Sequence, residues 1–249
     1  MIHDEWFGDE AAGDRAPLVL LHEGLGSISA WRGFPQALAD GTGRRVLAYD
    51  RPGYGRSSGA TAPWPADFLE RGAVELAGVL VEHDIHRPIL VGHSDGASIA
   101  LLHPAHGAPT GGPDPLAIVS LSAHVLVEDV TTASIAALDA GSDSAFVRSL
   151  ERHHDDAAAL VAAWTEVWLS DRFRPWTAGE ALAAVSCPVV AVQGADDRFG
   201  TRLQLDRIAA GVAGSVEVHE LDGVDHWPHR DRPAEVVALT AELADRVDP

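Results

Sequence analysis

The chain has 249 residues, enough for one large domain or two ordinary ones, and its 46% hydrophobic content suits a buried core and argues against disorder. Its 18 basic residues, all arginine, face 37 acidic residues, and the net charge of −19 disfavours binding to nucleic-acid phosphates. The single cysteine, Cys187, excludes an internal disulfide, and no apolar run approaches the roughly 20 residues of a membrane helix. The acidic N-terminus lacks a signal-peptide pattern, so we expect a cytoplasmic protein that neither crosses a membrane nor binds nucleic acid.

Six short apolar runs are predicted to form buried strands, because they are rich in β-branched residues and end at glycine, proline or aspartate. They cover residues 17–22, 46–50, 88–93, 116–121, 188–193 and 216–221. Helical spacing of apolar residues fills intervals between them, at residues 65–84, 95–105, 202–211 and 233–246. This alternation predicts an α/β fold with a mainly parallel sheet and helices on both faces.

The interval 127–185 interrupts the alternation, because it carries helical segments and no convincing strand. We interpret it as a helical cap inserted into a core made of residues 1–126 and 186–249. Three tryptophans are concentrated there: Trp164, Trp168 and Trp176. Trp164 and Trp168 are four residues apart and share a helix face. They are candidates either for lining an apolar acyl pocket or for packing the cap onto the sheet.

The sequence Gly92-His93-Ser94-Asp95-Gly96 lies between a predicted strand and a predicted helix. A G-x-S-x-G motif in this setting is typical of a nucleophile elbow. The glycines permit a turn that is too tight for side chains on the neighbouring backbone, and the strained turn lifts the serine hydroxyl clear of the sheet. Ser94 is therefore the candidate nucleophile. The alternative is a small residue in an ordinary loop.

A serine nucleophile needs a base to accept its proton, and the base needs a carboxylate to orient it. The loop after the last predicted strand supplies His226, with His229 as a rival close behind it. The loop after the preceding strand supplies two adjacent carboxylates, Asp196 and Asp197. Because parallel strands end at the same edge of a sheet, we expect these loops to meet above Ser94.

Together these motifs resemble the α/β-hydrolase family, which uses the chain order nucleophile, acid, base. The turn "YDRPGYGRSS" (49–58) is similar to the family's Asp-x-x-Gly-x-Gly-x-Ser turn. The resemblance implies that the acid is Asp197, at the fourth position of a G-x-x-D turn. It also implies an oxyanion hole made by the backbone N–H groups of Asp95 and of Gly24 in the "HEGLG" loop. Glu23 departs from the family, since glycine usually occupies its position.

Two carboxylates, Glu23 and Asp95, flank the expected oxyanion site. One interpretation is that both side chains point away from it, with Asp95 in the first turn of a helix, where the dipole favours an anion. The other is that they attract a cationic group on the substrate. The elbow "GHSDGAS" is similar to that of biphenyl-hydrolase-like enzymes, which cleave amino-acid esters, and this resemblance implies that the acid after the serine helps to hold a substrate amino group.

We expect a serine hydrolase that cleaves a small carboxylic ester through an acyl-enzyme intermediate. Thioesterase, lactonase, amidase, C–C bond hydrolase and acyltransferase activities use the same residue types and are alternatives. A ligand-binding protein that has lost turnover is an alternative of another class. No metal or cofactor is expected, because the closely spaced histidine pairs lack further ligands in a recognised pattern and no dinucleotide- or phosphate-binding loop is present.

Overall fold

A computed structural model describes residues 1–10, 13–59, 63–138, 140–141 and 144–249. Within these residues a seven-stranded sheet has the order β1-β3-β2-β4-β5-β6-β7. Its strands are β1 (Asp4–Phe7), β2 (Leu18–Leu21), β3 (Val46–Tyr49), β4 (Ile89–His93), β5 (Ala117–Leu121), β6 (Val189–Gly194) and β7 (Val216–Leu221). All neighbouring pairs are parallel except β1 and β3, which are antiparallel. The six predicted strands and the mainly parallel sheet are therefore confirmed. The prediction that all six are buried is wrong for β7, because it lies at the sheet edge and only Leu221 of its six residues is buried.

Nine α-helices occur in the described residues. They are α1 (Phe34–Thr42), α2 (Phe68–Glu82), α3 (Asp95–His106), α4 (Asp129–Ala136), α5 (Ala145–Leu150), α6 (Ala157–Leu169), α7 (Arg202–Gly211), α8 (Pro228–Asp231) and α9 (Pro233–Val247). Short 3-10 helices span Ile28–Trp31, Ala108–Thr110 and Gly179–Ala184. None of the described helices combines the length and the apolar character needed to cross a membrane.

Two apolar clusters cover the two faces of the sheet, because alternate residues of a strand point to opposite sides. Val19 and Leu21 of β2 belong to one cluster with residues of α2 and α3. Leu18 and Leu20 belong to the other with residues of α1 and α9. The prediction of helices on both faces is confirmed. The same layering brings the loops that follow β4, β6 and β7 to one edge of the sheet.

The interval between β5 and β6 contains α4, α5, α6 and a 3-10 helix, and its described residues add no strand to the sheet. Its one described β contact is an isolated bridge between Leu126 and Thr177. The buried face of α6 carries Trp164 and Trp168. The division of the chain into a core and a cap at 127–185 stays an interpretation.

Candidate active site

Ser94 occupies the sharp turn between β4 and α3, with φ +52° and ψ −121°. A φ in the left-handed region is unfavourable for a residue with a side chain, and such strain is concentrated at functional sites. A Cβ on Gly92 would overlap the backbone of Gly96 and lie 2.5 Å from the Cα of Ala97, and a Cβ on Gly96 would overlap the carbonyl of Leu21. The two glycines are therefore sterically required, as the motif predicts.

His226 and Asp197 lie in the loops that follow β7 and β6. The Nδ1–H of His226 donates to both carboxylate oxygens of Asp197, at 2.9 Å each. Asp197 also accepts a 2.8 Å hydrogen bond from the backbone N–H of Phe199. Burial alone would raise the pKa of Asp197, but the hydrogen bond and charge of His226 outweigh it and hold that pKa below its usual range. Asp196 is exposed, so the geometry favours Asp197 as the orienting carboxylate.

Ser94 and His226 line the same cavity, which has a volume of about 430 Å³. In the described part of the chain no hydrogen bond joins the Ser94 hydroxyl to Nε2 of His226. Contacts of this kind are often long without substrate and tighten in the Michaelis complex. The loop that carries His226 is held against the end of β4, because Nε2–H of His93 donates to the His226 carbonyl at 2.7 Å.

His229, the rival base, is 2% exposed and is absent from the cavity lining formed by the described residues. Its ring packs against those of Trp31, Phe34 and His93, with centroids 4.8, 5.4 and 4.6 Å away. Burial holds the pKa of His229 well below its ordinary value. Its position therefore favours a packing role and leaves His226 as the candidate base.

The backbone N–H groups of Gly24 and Asp95 have no hydrogen-bond acceptor among the described residues. The loop that carries Gly24 is fixed by His22, whose Nδ1–H donates to the Glu23 carbonyl at 2.8 Å and whose Nε2 accepts from the Arg51 N–H at 3.0 Å. The Arg51 guanidinium donates to the same carbonyl at 3.0 Å. Two free donors on a rigid loop and a helix N-terminus can stabilise a developing oxyanion.

The side chains of Asp95 and Glu23 have different surroundings. Asp95 is 1% exposed and is not among the described residues that line the cavity. Its Oδ2 accepts a 3.0 Å hydrogen bond from the indole Nε1–H of Trp164. Burial raises the pKa of Asp95 above its ordinary value. Glu23 does line the cavity, and its Oε1 is 3.1 Å from Nη2 of Arg230. The interpretation that both point away therefore fits Asp95 and not Glu23.

The ionisation of Glu23 follows from its neighbours. Its Oε2 is 3.4 Å from Nδ1 of His93, and Arg230 lies on its other side. Burial would raise the pKa of Glu23, but His93 and Arg230 together hold it well below the usual range. Glu23 is therefore ionised at neutral pH and already paired with Arg230.

Two of the three tryptophans in the interval 127–185 contact the cavity. Trp164 and Trp168 both line it, with ring centroids 6.2 Å apart. Trp176 instead stacks on Phe173 at 5.2 Å and donates to Glu70, and it is not among the described lining residues. The positions of Trp164 and Trp168 therefore fit the pocket-lining interpretation, and that of Trp176 fits the packing interpretation.

Comparison with known proteins agrees with this fold. A family model described as "Alpha/beta hydrolase family" matches residues 18–239. The chain belongs to the alpha/beta hydrolase family. Its similarity to Epoxide hydrolase A of Mycobacterium tuberculosis is 26% identity over 94% of this chain and 92% of that protein.

Solved structures show the same fold for this alpha/beta hydrolase. An esterase from Rhodococcus sp. ECU1013 superposes with a TM-score of 0.73 at 21% identity, over 99% of this chain and 95% of that one. Proline iminopeptidase of Mycobacterium smegmatis superposes with a TM-score of 0.71 at 22% identity, again over 99% and 95%.

Several cavity residues of this alpha/beta hydrolase carry no sequence motif. Arg32, Arg152, His153 and Arg230 line the cavity, but none of them follows a strand directly. The sequence gives one indication of a cavity position, which is that Arg32 follows shortly after the "HEGLG" loop. Cys187 is outside the described lining, and burial raises the pKa of its thiol to about 11, so that it stays protonated.

Proposed function

We propose that this alpha/beta hydrolase is a serine hydrolase that cleaves small carboxylic esters through an acyl-enzyme intermediate. The observation that carries the proposal is the strained Ser94 elbow, which opens into the same cavity as a His226 that is hydrogen-bonded to Asp197. The family membership and the esterase of the same fold agree with it.

In the proposed mechanism Ser94 Oγ attacks the acyl carbon while Nε2 of His226 accepts the hydroxyl proton. Asp197 holds Nδ1–H of His226 and stabilises the imidazolium that forms. The N–H groups of Gly24 and Asp95 stabilise the tetrahedral oxyanion, a contribution of about 3 kcal/mol for each donor. The leaving alcohol takes the proton from His226. Water, deprotonated by the same imidazole, then releases the acid and regenerates Ser94.

The size and lining of the cavity indicate a small substrate. A volume of about 430 Å³ lies in the lower range for small-molecule sites. Apolar side chains from the interval 127–185 contribute one part of its lining: Ile135, Leu138, Phe146, Leu150, Trp164 and Trp168. A short acyl chain is the group that such a lining accommodates best.

The test is a panel of purified esters of increasing acyl length, with a thioester, a lactone, an amide and an epoxide of similar size. Turnover is compared between the wild type and Ser94→Ala, after circular dichroism has shown that both are folded. We expect hydrolysis of short esters that Ser94→Ala abolishes. A preference for the thioester, lactone or amide would replace the ester assignment, and tight binding without turnover of any substrate would favour a ligand-binding protein.

A further inference from the structure

The cavity has a charge opposite to that of the chain. The protein carries a net charge of −19, yet the described residues that line the cavity include three arginines, Arg32, Arg152 and Arg230, and one carboxylate, Glu23. Among these lining residues the arginines exceed the carboxylates by two charges. Arg32 and Arg152 also line a neighbouring cavity that contains four carboxylates: Glu5, Asp50, Glu151 and Asp155. Field focusing in a cleft makes a local charge surplus effective on ligands.

Arg230 and Glu23 account for one charge of each sign. Nη2 of Arg230 is 3.1 Å from Oε1 of Glu23, and it also donates to the Ala30 carbonyl at 3.3 Å. Because Glu23 is paired in this way, it is poorly placed to bind a substrate ammonium group. The charge surplus of the cavity is therefore carried by Arg32 and Arg152.

The guanidinium groups of Arg32 and Arg152 make no ion pair or hydrogen bond with any described residue. Both side chains are exposed, so they lie at the mouth of the cavity and not at its base. Some other exposed arginines are paired, as in Arg71–Asp67, Arg202–Glu220 and Arg246–Glu217, whereas Arg56 and Arg207 have no ion-pair partner among the described residues. Two guanidinium groups that line one cavity and have no partner among the described residues can receive an anion.

The backbone at both positions is fixed. Arg32 directly follows the 3-10 helix Ile28–Trp31 and has φ +56°, a conformation that is strained for a residue with a side chain. Ser29 of that helix and His153, the neighbour of Arg152, are joined by a 2.6 Å hydrogen bond between Oγ and Nδ1. This bond links the two arginine-bearing segments directly.

His154 provides a second anchor for the segment that carries Arg152. Its Nδ1 accepts from the Gly55 N–H at 2.9 Å, and its Nε2–H donates to the Leu25 carbonyl at 3.0 Å. Burial lowers the pKa of His154, which favours the neutral imidazole. A neutral imidazole has one N–H and one acceptor nitrogen, as these two bonds require. Arg152 therefore stands beside two anchored residues at the cavity mouth.

From these observations we infer that the preferred substrate is an ester whose far end carries a carboxylate, held at the mouth by Arg32 and Arg152. The ester carbonyl would lie at Ser94 and an apolar chain would fill the interior. The planar guanidinium group suits a carboxylate because it donates two parallel hydrogen bonds. The inference rests on the proposed ester hydrolysis and opposes a cationic substrate.

Binding to inactive protein tests the anion site without requiring turnover. Monoethyl adipate and its neutral terminal amide, ethyl adipamate, are titrated calorimetrically into Ser94→Ala protein. We expect the carboxylate to bind at least about tenfold more tightly than the amide, with the difference reduced by high salt. Arg32→Gln and Arg152→Gln, each added to Ser94→Ala, should reduce the difference in affinity between the two ligands. The variant that carries both arginine substitutions should show no difference.

Arg207→Gln is the matched control, because Arg207 lines a separate groove beside α7 and is outside the described active-site lining. It should leave the preference for the carboxylate unchanged. Equal affinity for the two ligands, or a preference that survives in the double arginine variant, would overturn the inference.

Turnover by the wild type separates this inference from the proposed function. Hydrolysis of both ligands with no preference for monoethyl adipate would refute the anion site and leave ester hydrolysis standing. Failure to hydrolyse either ester, with selective binding of the carboxylate, would refute ester hydrolysis and keep the anion site.

Discussion

The indole N–H of Trp164 donates a 3.0 Å hydrogen bond to Oδ2 of Asp95, the residue that follows the candidate nucleophile. This bond joins helix α6 to the N-terminal turn of α3. The Trp164 ring also packs directly against Gly24, so one side chain touches both of the residues whose N–H groups form the proposed oxyanion hole. A shift of α6 would therefore change the positions of Gly24 and Asp95 and the shape of the proposed oxyanion hole.

A double-mutant cycle measures the connection between Trp164 and Asp95. Trp164→Phe, Asp95→Ala and the double variant are unfolded in urea, and the coupling free energy is calculated from the three stability changes. We expect a coupling of about 1–3 kcal/mol, because loss of either partner leaves the other buried without its hydrogen bond. Trp176→Phe combined with Asp95→Ala is the control cycle, since the indole N–H of Trp176 donates to Glu70 and not to Asp95. Similar coupling in both cycles would contradict a specific bond.

Substitution of Gly24 tests the oxyanion loop. A Cβ at this position would overlap the Trp164 indole and lie 2.8 Å from Oδ2 of Asp95, so Gly24→Ala must shift the loop or α6. We expect kcat/KM to fall by at least tenfold, approaching the roughly 10²–10³ loss that follows removal of one oxyanion donor. Gly33→Ala is the control, because a Cβ there meets nothing within 4 Å. Equal activity of both variants would contradict the assignment of Gly24.

Asp197→Asn tests the orientation of His226. An amide of the same size can present its N–H to Nδ1 and stabilise the wrong tautomer, so we expect kcat to fall by about 10³–10⁴-fold with a small change in KM. Asp196→Asn is the matched control, because Asp196 is exposed beside it. Steady-state kinetics on the best ester of the panel measures both. Equal losses in the two variants would remove Asp197 from its proposed role.

His229 is one of five histidines in the described residues whose pKa is lowered by burial, which makes the stability of the protein depend on pH. Burial holds the folded-state pKa of His229 well below the roughly 6.5 of an unfolded chain, so between these two values the unfolded state binds more protons. Its contribution to stability is therefore present above about pH 6.5 and is lost as the pH falls towards the folded pKa, by up to about 1.4 kcal/mol per pH unit.

His229→Phe should remove the contribution of this residue to that dependence, because a phenyl ring keeps an aromatic group beside Trp31 and Phe34 and does not titrate. The free energy of unfolding is measured by urea denaturation at several pH values. We expect the variant to gain stability relative to the wild type as the pH is lowered below about 6.5. His86→Asn is the control, since the His86 side chain is 80% exposed. Parallel stability curves for the wild type and His229→Phe would refute the prediction.

The sequence predicts six of the seven strands and the sharp turn at Ser94, because each depends on a local pattern. It also predicts that Ser94, Asp197 and His226 lie at one edge of the sheet, because parallel strands end there, and their roles as a triad stay a proposal. β1 was not predicted, since four half-buried residues at a sheet edge give little periodic signal. The directions of the Asp95 and Glu23 side chains depend on partners 69 and 207 residues away, Trp164 and Arg230. No local pattern carries such contacts, and the arginines at the cavity mouth were missed for the same reason.

Covalent labelling of Ser94 tests the central claim most directly. The wild type, Ser94→Ala and His226→Ala are treated with a fluorophosphonate, and the modified peptide is located by mass spectrometry. We predict one adduct on Ser94 in the wild type, no adduct in Ser94→Ala, and much slower labelling of His226→Ala because the hydroxyl lacks its base. An adduct on another residue, or labelling of Ser94 at an unchanged rate in His226→Ala, would contradict the account.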